Sequence, residues 1–234
     1  MPKVSVILNT FNRPYMLKQA VASILAQTMD DWELILAIDH RHIDTVGFRH
    51  DTARYCESLG DKRIKKDWTD LIPGDQSLNR FAHNINRAFK LCSGDYITYL
   101  CDDDLLMPWK FTVFSGVLDE NPDIRIVYGK QMIFDVPSGK FTSERGLFGV
   151  TNSAAGFVNH NSPMHRRECF DAVGGWDEHG PARLGDAYFW ARLNKKWPFY
   201  PLDCVGEIQR MGDFNCWSGK PQSEAERQSA GAFA

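Results

Sequence analysis

Three consecutive carboxylates, Asp102-Asp103-Asp104, offer the strongest chemistry in this 234-residue sequence. They directly follow Asp95 to Cys101 (DYITYLC), a short apolar run that reads as a buried strand, so a strand end would hold the three acids close together. Like charges at that spacing repel unless neutralised, and a hard divalent cation with oxygen ligands neutralises them well. Mg2+ or Mn2+ in that position could also hold a diphosphate, because both accept a mixture of carboxylate, water and phosphate oxygens. Helix capping is the competing reading. Asp is a preferred N-cap, and Leu105 to Leu118 is helical in pattern with Pro108 near its start. One Asp would suffice for a cap, and three are present.

Two further acids stand at comparable places. Asp39 closes Trp32 to Ile38 (WELILAI), where it could accept from a base N–H or a ribose hydroxyl, or sit as a solvated loop residue. Asp186 opens the helical pattern Leu184 to Arg192, where it could cap the helix or act as a base toward an acceptor hydroxyl. The histidines, among them His40, His42, His50, His160 and His165, show no zinc-helix spacing and are expected to be structural. Trp109 and Trp176 flank polar motifs and could line a sugar-sized pocket by stacking, although most aromatics belong to a core.

The elements that would carry these residues alternate. Lys3 to Asn9 (KVSVILN) reads as a strand, TFNRP as a loop and Tyr15 to Gln27 as a helix. Trp32 to Ile38 is a second strand, Asp44 to Leu59 a helix, Arg63 to Trp68 a weaker strand, and Gln76 to Leu91 a helix closed by Ser93-Gly94. Strands alternating with helices of this length imply a parallel sheet with right-handed crossovers, which binds ligands at the carboxyl ends of its strands. Thr10-Phe11-Asn12-Arg13, Asp39-His40 and the triple acid all fall at such ends. Beyond Pro108 the pattern becomes α+β, with a helix to about Glu120, a strand pair near Ile124 to Val136 turning at Pro137-Ser138-Gly139, and irregular sequence to about Gly156. The expected organisation is a single domain over residues 1–210, divided into halves 1–107 and 108–210, followed by a flexible polar tail over 211–234.

Composition excludes several classes. With 27 basic and 30 acidic residues the net charge is −3, which gives no global positive field for nucleic acid. Eighteen glycines and eleven prolines are far too few for a low-complexity chain. The six cysteines form no C-x-x-C pair, so free thiols in a reducing compartment are expected. There is no signal-like leader and no long apolar run, so a cytoplasmic protein without a transmembrane segment is expected.

Taken together, these motifs resemble the inverting family 2 glycosyltransferases with the GT-A fold. VSVILNTFNRPYMLKQAVASILAQT resembles the family's first strand, nucleotide-contacting loop and first helix, and WELILAID its second strand with a terminal acid. AHNINRAFKLCSGDYITYLCDDDLLMP is similar to the segment leading into the D-x-D motif and the Pro after it. GGWDEHGPARLGDAYFWARL resembles the Gly-Gly-aromatic-Asp-Glu turn followed by the base-bearing motif and a downstream Arg. The likeness covers residues 3 to 195.

The resemblance implies an α/β GT-A protein, with a Rossmann-like nucleotide-binding half on a mostly parallel sheet and an α+β acceptor half. Thr10, Asn12, Arg13, Asn84, Asp102 and Asp103 would line the nucleotide-sugar site, and Asp39 would meet the nucleobase. Asp102 and Asp104 would hold the metal. Cys101 stands where many members carry the first acid of the motif, which also allows a register in which Asp103 is the ligand. Asp186 would be the general base, and Trp176 and Asp177 would face the acceptor. His83 replaces the usual Arg before Asn84, and Gly185 replaces the acid that commonly precedes the base.

The implied reaction is metal-dependent transfer of a sugar, with inversion, from a nucleotide-diphosphate donor to an acceptor hydroxyl. UDP-linked donors are favoured over GDP-linked ones, with Mn2+ or Mg2+ as cofactor. Glycan, lipid-linked, protein and modified-base acceptors all fit, and homodimerisation is compatible. Two rivals stand beside this reading. One is a sugar-phosphate nucleotidyltransferase, which typically carries a Gly-rich basic N-terminal loop that NTFNRPY lacks. The other is a non-catalytic carbohydrate- or nucleotide-binding protein on the same fold.

Overall fold

The structure is a computed structural model and describes residues 2–11, 13–39, 47–69, 79–146, 149–152, 154–155, 157–180 and 185–212, with the side chains of 47–50 left aside. The alternation expected for the first hundred residues is present. Strand β1 (Val4–Thr10) leads to α1 (Pro14–Leu25), β2 (Trp32–Asp39) to α2 (Gly47–Ser58), β3 (Ile64–Thr69) to α3 (Arg80–Phe89), and then β4 (Tyr96–Cys101) follows. The strands lie in the order β3-β2-β1-β4, all parallel. Residues 76–78, expected at the start of α3, and 44–46, expected at the start of α2, lie outside the described residues.

This arrangement follows from burial on both faces. Val4, Val6, Leu8, Leu34 and Leu36 point to one side and pack with Leu17, Val21 and Ile24 of α1. Ile7, Ile35, Ala37, Ile97 and Tyr99 point to the other and pack with Ala82, Ile85 and Phe89 of α3. Strands buried on both faces read as nearly continuous apolar runs, which made them legible. Pro14 begins α1 at its first turn, where its missing N–H costs nothing.

The second half completes a mixed sheet. After β5 (Leu105–Leu106) and α4 (Lys110–Glu120) come β6 (Ile126–Asp135), β7 (Lys140–Arg145), β8 (Met164–Arg166), α5 (Arg167–Ala172), α6 (Gly185–Asn194) and β9 (Tyr200–Met211). The sheet continues β4-β8-β6-β9-β5, with β7 hairpinned onto β6 across a turn that includes Gly139 at φ +65°. β8 is antiparallel to β4 and β6, and β9 is parallel to β6.

Three expectations change here. Leu105-Leu106 is a strand paired with Glu207-Ile208, and the helix starts only at Lys110, so the acidic run does not cap it. β7 occupies part of the stretch expected to be irregular. The long strand β9, which crosses the sheet up to Met211, was not anticipated. Residues 213–234, most of the expected tail, lie outside the described residues.

Candidate functional site

The ends of β1 and β4 lie side by side, with Asn9 in register with Cys101, which sets Thr10 beside Asp102. Asp102 is fully committed there. Its Oδ2 accepts from the Thr10 hydroxyl at 2.8 Å and from the Phe11 backbone N–H at 3.0 Å, and its Oδ1 takes Arg13 Nη1 at 2.7 Å. Arg13 is the N-cap of α1, so the helix start aims its guanidinium at the acids, and the same nitrogen lies 2.8 Å from Asp103 Oδ2. Burial pushes the Asp102 carboxyl up to about 6, and the Asp103 charge adds to the rise against the opposing pull of Arg13.

Asp104 faces the opposite way. Its Oδ2 accepts from Asn161 Nδ2 at 2.5 Å and its Oδ1 from the Arg210 backbone N–H at 2.8 Å. Burial, with Asp103 next, raises its carboxyl well above the usual range. Arg210 is buried on β9. Its Nε donates to the Asp103 carbonyl at 2.5 Å, and its Nη1 donates to Gln19 Oε1. Asn161 Oδ1 in turn accepts from the Cys101 N–H at 2.8 Å. The acidic turn is thus held from both halves of the chain, and three carboxylates face two guanidinium groups.

The residues differ in what they leave available. Asp102 and Asp104 spend both oxygens inside the protein, while the side chain of Asp103 is paired with Arg13 and accepts no other hydrogen bond among the described residues. No group of three or more His, Cys, Asp or Glu among the described residues forms a cage for a metal ion. A hard cation such as Mg2+ or Mn2+ still fits this turn, because such ions bind through one or two carboxylates and take their other ligands from water and phosphate oxygens.

Asp39, at the end of β2, is held by a two-pronged pair with Arg80 of α3, Nη2 to Oδ1 at 2.7 Å and Nε to Oδ2 at 3.2 Å. Arg80 was not singled out from sequence. Four residues on from it, Asn84 is buried on α3 with its Oδ1 unpartnered. Asn12, His40 and His42 lie outside the described residues.

The turn before α6 is fastened to α3. Glu178 Oε2 meets His83 Nδ1 at 2.8 Å and its Oε1 accepts from Asn86 Nδ2 at 2.7 Å. Asn86 also donates to the Trp176 carbonyl at 2.9 Å and accepts from the Trp176 N–H at 2.8 Å. Gly175 is required in this clamp, since it has φ +74° and a Cβ would come 2.7 Å from Asn86 Oδ1. His83 is therefore a partner of Glu178. The clamp turns Trp176 inward. It was expected to face an acceptor, yet it is 2% exposed and stacks on Phe189 with centroids 4.8 Å apart. Asp177 is exposed, with its Oδ1 accepting from the His179 N–H at 3.0 Å.

Asp186 lies in the first turn of α6, half-buried, with its Oδ1 accepting from the Ala187 N–H at 2.8 Å. Burial raises its carboxyl above the usual range. Gly185 leaves room beside it, for a Cβ there would rest 3.5 Å from Asn79 Nδ2 and 3.6 Å from Trp176 Cζ3.

A largely parallel α/β sheet with paired acids and an arginine at the carboxyl ends of its strands has the arrangement in which such folds bind ligands. Residues 5–186 match the family model described as Glycosyl transferase family 2, and the chain belongs to that family. It is 35% identical over 213 residues to the protein CgeD of Bacillus subtilis (strain 168), covering 87% of this chain and 49% of that protein. It is 30% identical over 196 residues to EpsE of the same organism, covering 82% of this chain and 66% of EpsE. The chain therefore spans about half to two thirds of the length of these relatives. A crystal structure of Staphylococcus aureus TarS in complex with UDP-GlcNAc superposes with a TM-score of 0.69 at 14% identity, covering 94% of this chain and 62% of TarS, and shares its GT-A fold. Among the described residues no helix is long and apolar enough to cross a membrane.

Proposed function

We propose that the chain transfers a sugar from a nucleotide-diphosphate donor to an acceptor hydroxyl with inversion, Asp186 acting as general base. The observation that carries this reading is the division of labour within the acidic turn. Asp102 and Asp104 are spent on building the turn, while Asp103 retains capacity for a ligand beside Arg13. Asp103 is then the carboxylate that holds Mn2+ or Mg2+, in place of the pair Asp102 and Asp104. A bound cation supplies Lewis-acid neutralisation of the departing diphosphate. Thr10, Arg13 and Asp39 border the donor site, with Arg80 fixing Asp39. The resemblance favours a UDP-linked donor.

Asp186 takes the acceptor's hydroxyl proton. As it does so, the acceptor oxygen forms its bond to the anomeric carbon, the bond from that carbon to the diphosphate oxygen breaks, and the electron pair leaves with the diphosphate. A carboxyl raised by burial is a better proton acceptor at neutral pH than an ordinary aspartate. The test measures release of nucleotide diphosphate from UDP-glucose, UDP-GlcNAc and GDP-mannose with Mn2+. Asp186→Asn is expected to lower release by at least about a hundredfold with nucleotide affinity unchanged. Wild-type rates in that variant would overturn the base assignment.

A further inference from the structure

His160 sits among aromatic side chains drawn from both halves of the chain. Its ring contacts Phe81 at 5.0 Å between centroids, Tyr99 at 5.2 Å and Trp176 at 5.3 Å. The next residue, Asn161, holds both Asp104 and the Cys101 N–H, which ties the ring to the acidic turn. On the far side, Trp176 underlies Gly185, the residue before Asp186. The surroundings of His160 therefore lead on one side, through Asn161, to the turn that carries Asp103 and on the other, through Trp176, to the start of the helix that carries Asp186.

Its chemistry there is unusual for a core residue. Nδ1 is buried without a hydrogen-bond partner. A buried nitrogen without a partner is costly, and such atoms mark places where a ligand or water completes the bonding. The residue is 6% exposed, at atoms other than Nδ1. Burial, with the Lys110 ammonium adding to it, lowers the imidazole to about 3. The ring is therefore neutral at working pH, with one N–H and one lone pair. That combination matches a hydroxyl, which both donates and accepts.

We propose that His160 is a specificity-determining residue that hydrogen-bonds a hydroxyl or amide substituent of the donor sugar, enclosed by Phe81, Tyr99 and Trp176. This rests on the function proposed above. The test uses calorimetric titration, with Mn2+, of UDP, UDP-glucose, UDP-GlcNAc, GDP and GDP-mannose into wild type and His160→Phe. The readout is the Kd of each sugar nucleotide divided by that of its bare diphosphate. His160→Phe keeps the aromatic packing and is expected to raise this ratio about tenfold for the donor that binds, with the bare diphosphate changed by less than about twofold. His160→Leu, equally unable to hydrogen-bond, carries the same expectation if the Phe variant does not fold. An unchanged ratio, or equal weakening of sugar nucleotide and diphosphate, overturns the assignment. A wild-type chain that binds none of the five probes overturns the proposed function itself, and this assignment with it.

Discussion

Arg13 reaches two carboxylates with one nitrogen, Nη1 lying 2.7 Å from Asp102 Oδ1 and 2.8 Å from Asp103 Oδ2. The pairing joins the start of α1 to the end of β4, and all three side chains are largely buried. It makes the arginine the local counter-charge of a turn that would otherwise hold adjacent anions out of water.

Replacing that arginine should expose the repulsion. Arg13→Met leaves Asp102 and Asp103 buried without their cation, and removing one partner of a buried pair typically costs about 3–5 kcal/mol. Adding Mn2+ should restore part of this loss, so the expected result is a larger Mn2+-induced rise in Tm for Arg13→Met than for wild type. Equal rises in both would show that the cation does not share the acids with Arg13.

The clamp between α3 and the turn before α6 makes a separate prediction. Glu178→Ala removes the bonds to His83 and Asn86, at about 1–2 kcal/mol of stability. Because that turn leads into the helix bearing Asp186, kcat should fall more than donor affinity, as steady-state kinetics and nucleotide titration would read. A variant weakened only in nucleotide affinity would contradict the positional role.

Stability should carry a pH signature from Glu207. Burial raises its carboxyl from the ordinary 4.5 to about 7, against the opposing pull of Lys110 and of Gln131, whose amide donates to it. The folded state therefore holds the proton more tightly than the unfolded chain. The contribution of this group is fully present below about pH 4.5 and is lost as pH rises through about 7. The unfolding free energy should thus fall through this group between about pH 5 and pH 7.5, and Glu207→Gln, neutral throughout, should flatten the fall in urea denaturation. An unchanged slope in the variant would contradict it.

The parts of the molecule legible in sequence are those set by local pattern. Val4–Thr10, Trp32–Asp39 and Tyr96–Cys101 are buried on both faces and announce themselves as apolar runs, and the acids that follow them mark the carboxyl edge. What escaped depends on partners far along the chain. Asp104 looks equivalent to Asp102 until Asn161 and Arg210, 57 and 106 residues away, take its two oxygens. β9 has no clean alternation because its burial changes along its length as it pairs with β6 and then also with β5. Trp176 looked like an exposed platform because polar residues flank it, and only the Asn86 clamp on its backbone explains why it points inward.

The most direct measurement is calorimetric titration of UDP and GDP, with and without Mn2+, into wild type and Asp103→Ala. The account predicts that one nucleotide binds in a Mn2+-dependent manner and that Asp103→Ala abolishes the Mn2+ dependence. Binding that ignores both the metal and Asp103, or no binding of either nucleotide to the wild type, would contradict it.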